Sequence, residues 1–344
     1  MMQVAEYITL WLPRRFGSPI RSCYDAPINR PDARCSPEKI ARLTNRQYVT
    51  SHENDLMDGL YPEMTLCTWG DMLAMAINQI CDPCDMQLVS YQAVVNDLHR
   101  LMRVRKAKRH SLAACKGKGW LEPAQIHAYK HWDYAWAILH SGVRASMTVL
   151  DAGAGRGFLQ YYLARLGVQM HAMDIAPIES KVFRKLYAVA SHVNVSFKLD
   201  PFRVTNKLQR RYRTQIAYRF ESVASLSYAD EMFDRVFSIS VLEHLDAATL
   251  QDGLREMARV LKPGGWLVMT IDYTPTPGNG TEGFDVQGIC QDIVKPLAAC
   301  GLAPIEPLNL NIPDWETLLQ QANRTFETTR PCVSYGMIFV KGRP

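Results

Sequence analysis

Residues 149–157 read Val-Leu-Asp-Ala-Gly-Ala-Gly-Arg-Gly, an apolar strand end that runs into three alternating glycines. An acid, Asp174, closes the next apolar run, Val168-Gln-Met-His-Ala-Met. A chain that turns from strand to helix through Gly153, Gly155 and Gly157 presents bare backbone against which a ligand can lie. A carboxylate at the tip of the neighbouring strand can accept from both hydroxyls of a ribose. The pairing predicts a parallel sheet with a nucleoside bound at its edge. Spacing narrows the choice of nucleoside. A dinucleotide fingerprint needs a small residue where Phe158 stands, and a phosphate-cradling Walker loop needs Gly-Lys-Ser/Thr where Arg156-Gly157-Phe158 stands.

A second block carries independent information. From Phe233 the chain reads Phe-Asp-Arg-Val-Phe-Ser-Ile-Ser-Val-Leu-Glu-His-Leu, followed by a helical stripe of Leu250, Leu254, Met257 and Leu261 and then by Lys262-Pro-Gly-Gly-Trp-Leu-Val-Met-Thr. Pro263 cannot continue a helix, Gly264 and Gly265 stop one, and the unbroken apolar run Trp266–Ile271 predicts a buried strand. Asp-x-Gly-x-Gly-x-Gly at 151–157, together with this strand, helix, Gly-Gly turn and strand, resembles the class I S-adenosylmethionine-dependent methyltransferases. The branch is the one typified by ubiquinone-biosynthesis methyltransferases, and the resemblance covers about 119–344. It implies an α/β fold: a doubly wound, mostly parallel, seven-stranded Rossmann-like sheet with an N-terminal accessory region that is partly helical. It also implies S-adenosyl-L-methionine as cofactor.

Carried over position by position, the resemblance has Asp151 orient the loop near the cofactor's amino group, with Gly153, Ala154, Gly155 and Gly157 forming the backbone cradle. Asp174 holds the ribose with Ile175 beside it. After the third strand, where relatives show an Asp on the adenine amine, this chain has Ser222 followed by Val223. The hydroxyl accepts without charge assistance and Val223 supplies an apolar contact. Ser240 falls where the fourth strand passes the sulfonium. Methyl transfer asks mainly for in-line positioning, plus removal of a proton if the acceptor is a hydroxyl. His244, next to Glu243 just past the fourth strand, is the candidate base, since an unperturbed histidine titrates at ~6.5; capping or packing is its alternative role. Asp272 and Tyr273 are the second-line candidates.

The remaining sequence sets the context. A hydrophobic fraction of 47% over 344 residues is ample for a core. Residues 1–118 are expected to form the accessory region, serving as lid, substrate contact or dimer contact, and 119–344 the methyltransferase domain. Lys116-Gly-Lys-Gly119 is the expected linker. Nine cysteines without regular spacing and no recognisable leader point to a reducing, cytoplasmic setting. The run Tyr7-Ile-Thr-Leu-Trp-Leu-Pro is too short to span a bilayer, which takes ~20 apolar residues. Asp85 is expected to cap a helix with the stripe Leu88, Tyr91, Val95, Leu98 and Met102. Cys81 and Cys84 have metal-knuckle spacing but no second pair nearby.

A helix through Ile126, Trp132, Trp136 and Leu139 is expected to end at Gly142. Its Tyr129, His131, Trp132 and Tyr134 are candidates for the cofactor's methionine end, with a core role as the alternative. The loop 274–283, rich in breakers, is placed to cover an acceptor or to run passively over the surface. Residues 98–118 carry eight Lys/Arg and no acid, and 198–219 carry seven against one acid, leaving an acidic remainder. These stretches fit solvated faces equally well. The expected acceptor is a small molecule or a saccharide-like compound, methylated at oxygen. The alternatives are an RNA methyltransferase using the basic stretches, or a cofactor-binding module without catalysis; a homodimer is among the expected partners.

Overall fold

The computed structural model describes residues 77–106, 128–155, 158–175, 215–278, 281–312 and 314–343. The Gly157 position, the linker, Ile126 and most of both basic stretches lie outside the described residues. Among the described residues eight strands form one sheet: β1 (Gln79–Ile80), β2 (Thr148–Ala152), β3 (Gln169–Asp174), β4 (Ile216–Phe220), β5 (Phe233–Ile239), β6 (Leu261–Tyr273), β7 (Leu302–Pro304) and β8 (Val333–Lys341). Their order is β1-β8-β6-β5-β2-β3-β4, with β7 also on β8. From β4 to β6 every pairing is parallel, and β8 is antiparallel to β6. Helices therefore have to cover both faces, and they do.

One face is covered by α1 (Val89–Lys106), α2 (Ala128–His140) and α3 (Leu159–Arg165). Tyr91, Leu98, Trp132, Trp136 and Leu163 are buried there. On the other face α4 (Ala247–Val260) contributes Leu250, Leu254 and Met257 to a core shared with Phe233, Leu267 and Phe339. A helical stretch, α5 (Val286–Gly288), a π-turn (Ile289–Val294) and α6 (Lys295–Ala299), adds Ile289, Ile293 and Leu297 to the same core. The tail forms α7 (Trp315–Thr325) and then β8. Its amphipathic and apolar patterns predict both.

Beyond the expected seven, one strand comes from the stretch ahead of the linker. β1 is only two residues long and pairs with Tyr335 and Gly336, beside the part of β8 that β7 covers. No pattern that short can be read as a strand from sequence. Two local expectations are corrected. Asp85 lies within the 3-10 turn Pro83–Gln87 ahead of α1 rather than capping that helix, and the turn's own cap is Asp82, which accepts from the Cys84 N–H at 2.8 Å. Asp85 instead turns inward and takes the Trp132 indole N–H at 2.9 Å. Lys262-Pro-Gly-Gly lies inside β6 rather than ending a helix: α4 stops at Val260, β6 starts at once, and the register against β5 shifts between Phe233 and Arg235. Gly264, at φ +78°, supplies the left-handed residue such an irregularity needs. Among the described residues no cluster of three His, Cys, Asp or Glu could hold a metal, and no helix is long and apolar enough to cross a membrane.

Trp136 anchors α2 to the sheet. Its ring lies stacked with Trp132 at 5.8 Å, and its N–H donates to the Ile77 carbonyl at 3.0 Å. Gly336 on β8 lets the ring sit flush on the strand, since a Cβ there would come within 2.4 Å of the indole. The two tryptophans are therefore core residues.

Candidate active site

The carboxyl ends of β2 to β6 carry the described candidate residues. After β2 the chain turns at Gly153 (φ +84°) and Gly155 (φ +50°), a left-handed geometry that glycine adopts without penalty. Both the Gly153 and Ala154 N–H groups donate to the Met173 carbonyl, at 3.0 and 2.9 Å, which ties the turn to the end of β3. A Cβ on Gly153 would meet Val241 at 2.4 Å. Gly155 is different: its nearest neighbour would be Asp174 at 3.6 Å, so its bare face is a cradle that no side chain of the described residues fills.

Asp174 fixes that cradle. Its carboxylate accepts from the Gly155 N–H and the Ile175 N–H, each at 2.6 Å. Tyr218 on β4 donates to the Gly155 carbonyl at 3.2 Å. Burial raises the Asp174 carboxyl while the two N–H groups pull it back. Asp151, 3% exposed at the end of β2, is pushed to about 7 by burial and then by the nearby Asp174. Two acids flanking a backbone cradle, in their ionised forms, suit a ligand that brings ribose hydroxyls and a cationic group. A sulfonium nucleoside that also carries an ammonium fits this charge, and the open Gly155 face leaves room for it. Ile175 is 55% exposed beside Asp174, an apolar surface of the kind an adenine covers.

The next strands extend the edge. After β4, Ser222 accepts from the Ala224 N–H at 3.2 Å and Val223 is buried against Gly253 of α4. Ser240 follows β5 in a left-handed conformation (φ +51°), uncommon for a residue with a Cβ. Its backbone N–H is held by the Thr270 carbonyl at 2.9 Å, and its hydroxyl donates to Asp133 of α2 at 3.0 Å. That hydrogen bond joins α2 to the carboxyl edge of the sheet.

His244 and Asp272 have separate partners. His244 is more than half exposed, and its Nδ1 lies 2.5 Å from Glu282 in the loop after β6. That loop is closed at its base by the Phe284 N–H donating to the Asp272 carbonyl and the Thr274 N–H donating to the Phe284 carbonyl. Asp272 is 5% exposed and pairs with Arg330, whose guanidinium lies over the Tyr129 ring at 4.1 Å. Arg330, Lys130 and Asp133 carry no local sequence signal for this site. They come from the segment before β8 and from α2, and only the fold brings them here. Lys130 pairs with the fully buried Asp133 at 3.2 Å.

A family model described as a methyltransferase domain matches residues 150–269. The ubiquinone biosynthesis O-methyltransferase of Xanthomonas oryzae pv. oryzae is 36% identical over 133 residues, 38% of this chain and 46% of that protein. Its counterpart in Xanthomonas campestris pv. campestris is 35% identical over 130 residues, 37% of this chain and 44% of that protein. The chain thus spans less than half the length of the curated relatives it matches. Among solved structures, the YcgJ protein of Bacillus subtilis is 18% identical, with 62% of this chain and all of that one covered at a TM-score of 0.40. Burkholderia thailandensis 1,6-didemethyltoxoflavin-N1-methyltransferase is 16% identical, with 72% and 90% covered at a TM-score of 0.41. Residues 150–269 are a class I S-adenosylmethionine-dependent methyltransferase domain, and the cofactor of that class is S-adenosyl-L-methionine.

Proposed function

We propose that this chain transfers a methyl group from S-adenosyl-L-methionine to a hydroxyl oxygen of a small-molecule or saccharide-like acceptor. The observation that carries the reading is the unfilled Gly155 face clamped by Asp174 next to the buried Asp151. Asp174 would hold the ribose, Asp151 the ammonium, and Ile175, Ser222 and Val223 the adenine, while Ser240 lies toward the sulfonium. When bound, the cofactor supplies an electrophilic methyl carbon. The chain's task is then to position the acceptor and exclude water. The oxygen preference draws on the curated relatives, which are O-methyltransferases by name. The loop 274–283, held at its base beside Asp272, is the acceptor cover, and 1–118 is an accessory region.

The test is a mass-spectrometric screen of phenols, catechols and methyl glycosides with purified protein and S-adenosylmethionine. The expected result is a product one methyl group heavier from at least one hydroxylated class, together with stoichiometric S-adenosylhomocysteine. Methylation confined to amines or to RNA would overturn the oxygen reading.

A further inference from the structure

Beside the cofactor edge lies a buried polar cluster whose acceptors outnumber its donors. Glu243 follows β5 and is 8% exposed, and among the described residues no other residue offers its carboxyl oxygens a hydrogen bond. One oxygen each of Asp133 and Asp272 is likewise buried without a partner. The two cations at hand are already engaged, Lys130 with Asp133 and Arg330 with Asp272. Glu243 has no ion pair of its own among the described residues, Lys130 only tempering its charge from its place beside Asp133. Buried acceptors left unpaired cost on the order of 1–3 kcal/mol each, so such a cluster is a demand for donors from a ligand. Its position is set by two links. Ser240 donates to Asp133, and Asp133 neighbours Tyr134, which in turn neighbours Asp151 at the cofactor turn.

Resting on the methyl-transfer reading above, we propose that Glu243 is the catalytic residue that takes the proton from the acceptor hydroxyl. The acceptor oxygen forms its bond to the methyl carbon as the carbon–sulfur bond breaks, sulfur keeping the electron pair. The hydroxyl proton passes to a Glu243 oxygen, leaving a neutral acid, a methyl ether and a neutral thioether. A carboxylate in its ordinary range is too weak a base for this, whereas one titrating near the working pH is matched to it. Burial and then Asp272 raise Glu243 to about 8, with Asp133 adding to the rise and its own backbone N–H and Lys130 opposing it. The Cys332 thiol, which faces the same group, is pushed up to about 12 by burial and Asp272, so it stays protonated and does not compete.

The sign of the pH dependence follows. The base must be ionised, so kcat/KM should rise with pH and level off above about 8. Using the hydroxylated probe turned over best in the screen, Glu243→Gln should lower kcat by about 10²- to 10⁴-fold with S-adenosylhomocysteine affinity unchanged by calorimetry. Asp272→Asn, which removes the neighbouring negative charge and frees Arg330, should move the rising limb to lower pH. Infrared difference spectra give a readout that needs no acceptor. Wild type minus Glu243→Gln should show the carbonyl band of a protonated carboxyl below about pH 8, fading above it. Full turnover by Glu243→Gln, loss of turnover in His244→Ala instead, or no such band would each overturn the assignment. A band present without turnover of any probe would support the buried acid and count against the methyl-transfer reading.

Discussion

Trp136→Ala is expected to lower the melting temperature by on the order of 10 °C, from a loss of about 3–5 kcal/mol. The magnitude follows from what the ring does. It is fully buried and fills the gap above Gly336, which has no Cβ to fill it in turn. Truncation leaves a cavity between α2 and β8 and orphans the Ile77 carbonyl that the indole N–H satisfies. Because α2 also carries Lys130 and Asp133, the loss should reach the active edge. Differential scanning calorimetry, with circular dichroism to confirm folding at low temperature, checks the size. A shift of only one or two degrees would show that the helix is held elsewhere. Gly336→Ala approaches the same contact from the other side and should destabilise by overpacking, about 1–3 kcal/mol.

Asp174→Ala is expected to weaken S-adenosylhomocysteine binding by about 10²- to 10⁴-fold, the cost of losing two hydrogen bonds from ribose hydroxyls to a charged acceptor. The same carboxylate holds the Gly155 and Ile175 N–H groups, so the cradle itself should loosen. Asp174→Asn separates the two effects: its carbonyl still accepts one N–H, so the loss should be smaller. Isothermal titration of both variants beside wild type reads the ratio. Equal affinities in all three would remove Asp174 from the binding site.

The parts of the fold that were legible from sequence are those in which a short run of residues dictates its own geometry. The alternation of glycines after an apolar run specifies the turn at 153–155, and the Asp at the end of the next run falls at its side because β2 and β3 are adjacent and parallel. β5, α4, β6 and β8 were legible by periodicity. Lys262-Pro-Gly-Gly misled about the helix end because proline and glycine serve a strand irregularity as well as a helix stop. Asp85 misled because a helix-capping residue type also suits a buried indole. The proposed acceptor side was hardly legible at all. Asp133 meets Ser240 across 107 residues, and Arg330 meets Asp272 across 58. No periodicity links them, and their chemistry appears only when the sheet edge gathers them. Glu243 and His244 are neighbours in sequence, yet one is buried with no hydrogen bond from another described residue and the other exposed on Glu282. Local pattern could not rank that pair.

The central claim is that the turn after β2 takes a cationic, phosphate-free nucleoside. The most direct measurement is isothermal titration of purified, ligand-stripped protein with S-adenosylmethionine, S-adenosylhomocysteine, NAD and ATP in turn. One-to-one saturable heat is predicted for the first two and none for the others, with Gly155→Val abolishing the signal. Heat from NAD or ATP in preference, or none from the sulfonium compound and its demethylated product, would contradict the account.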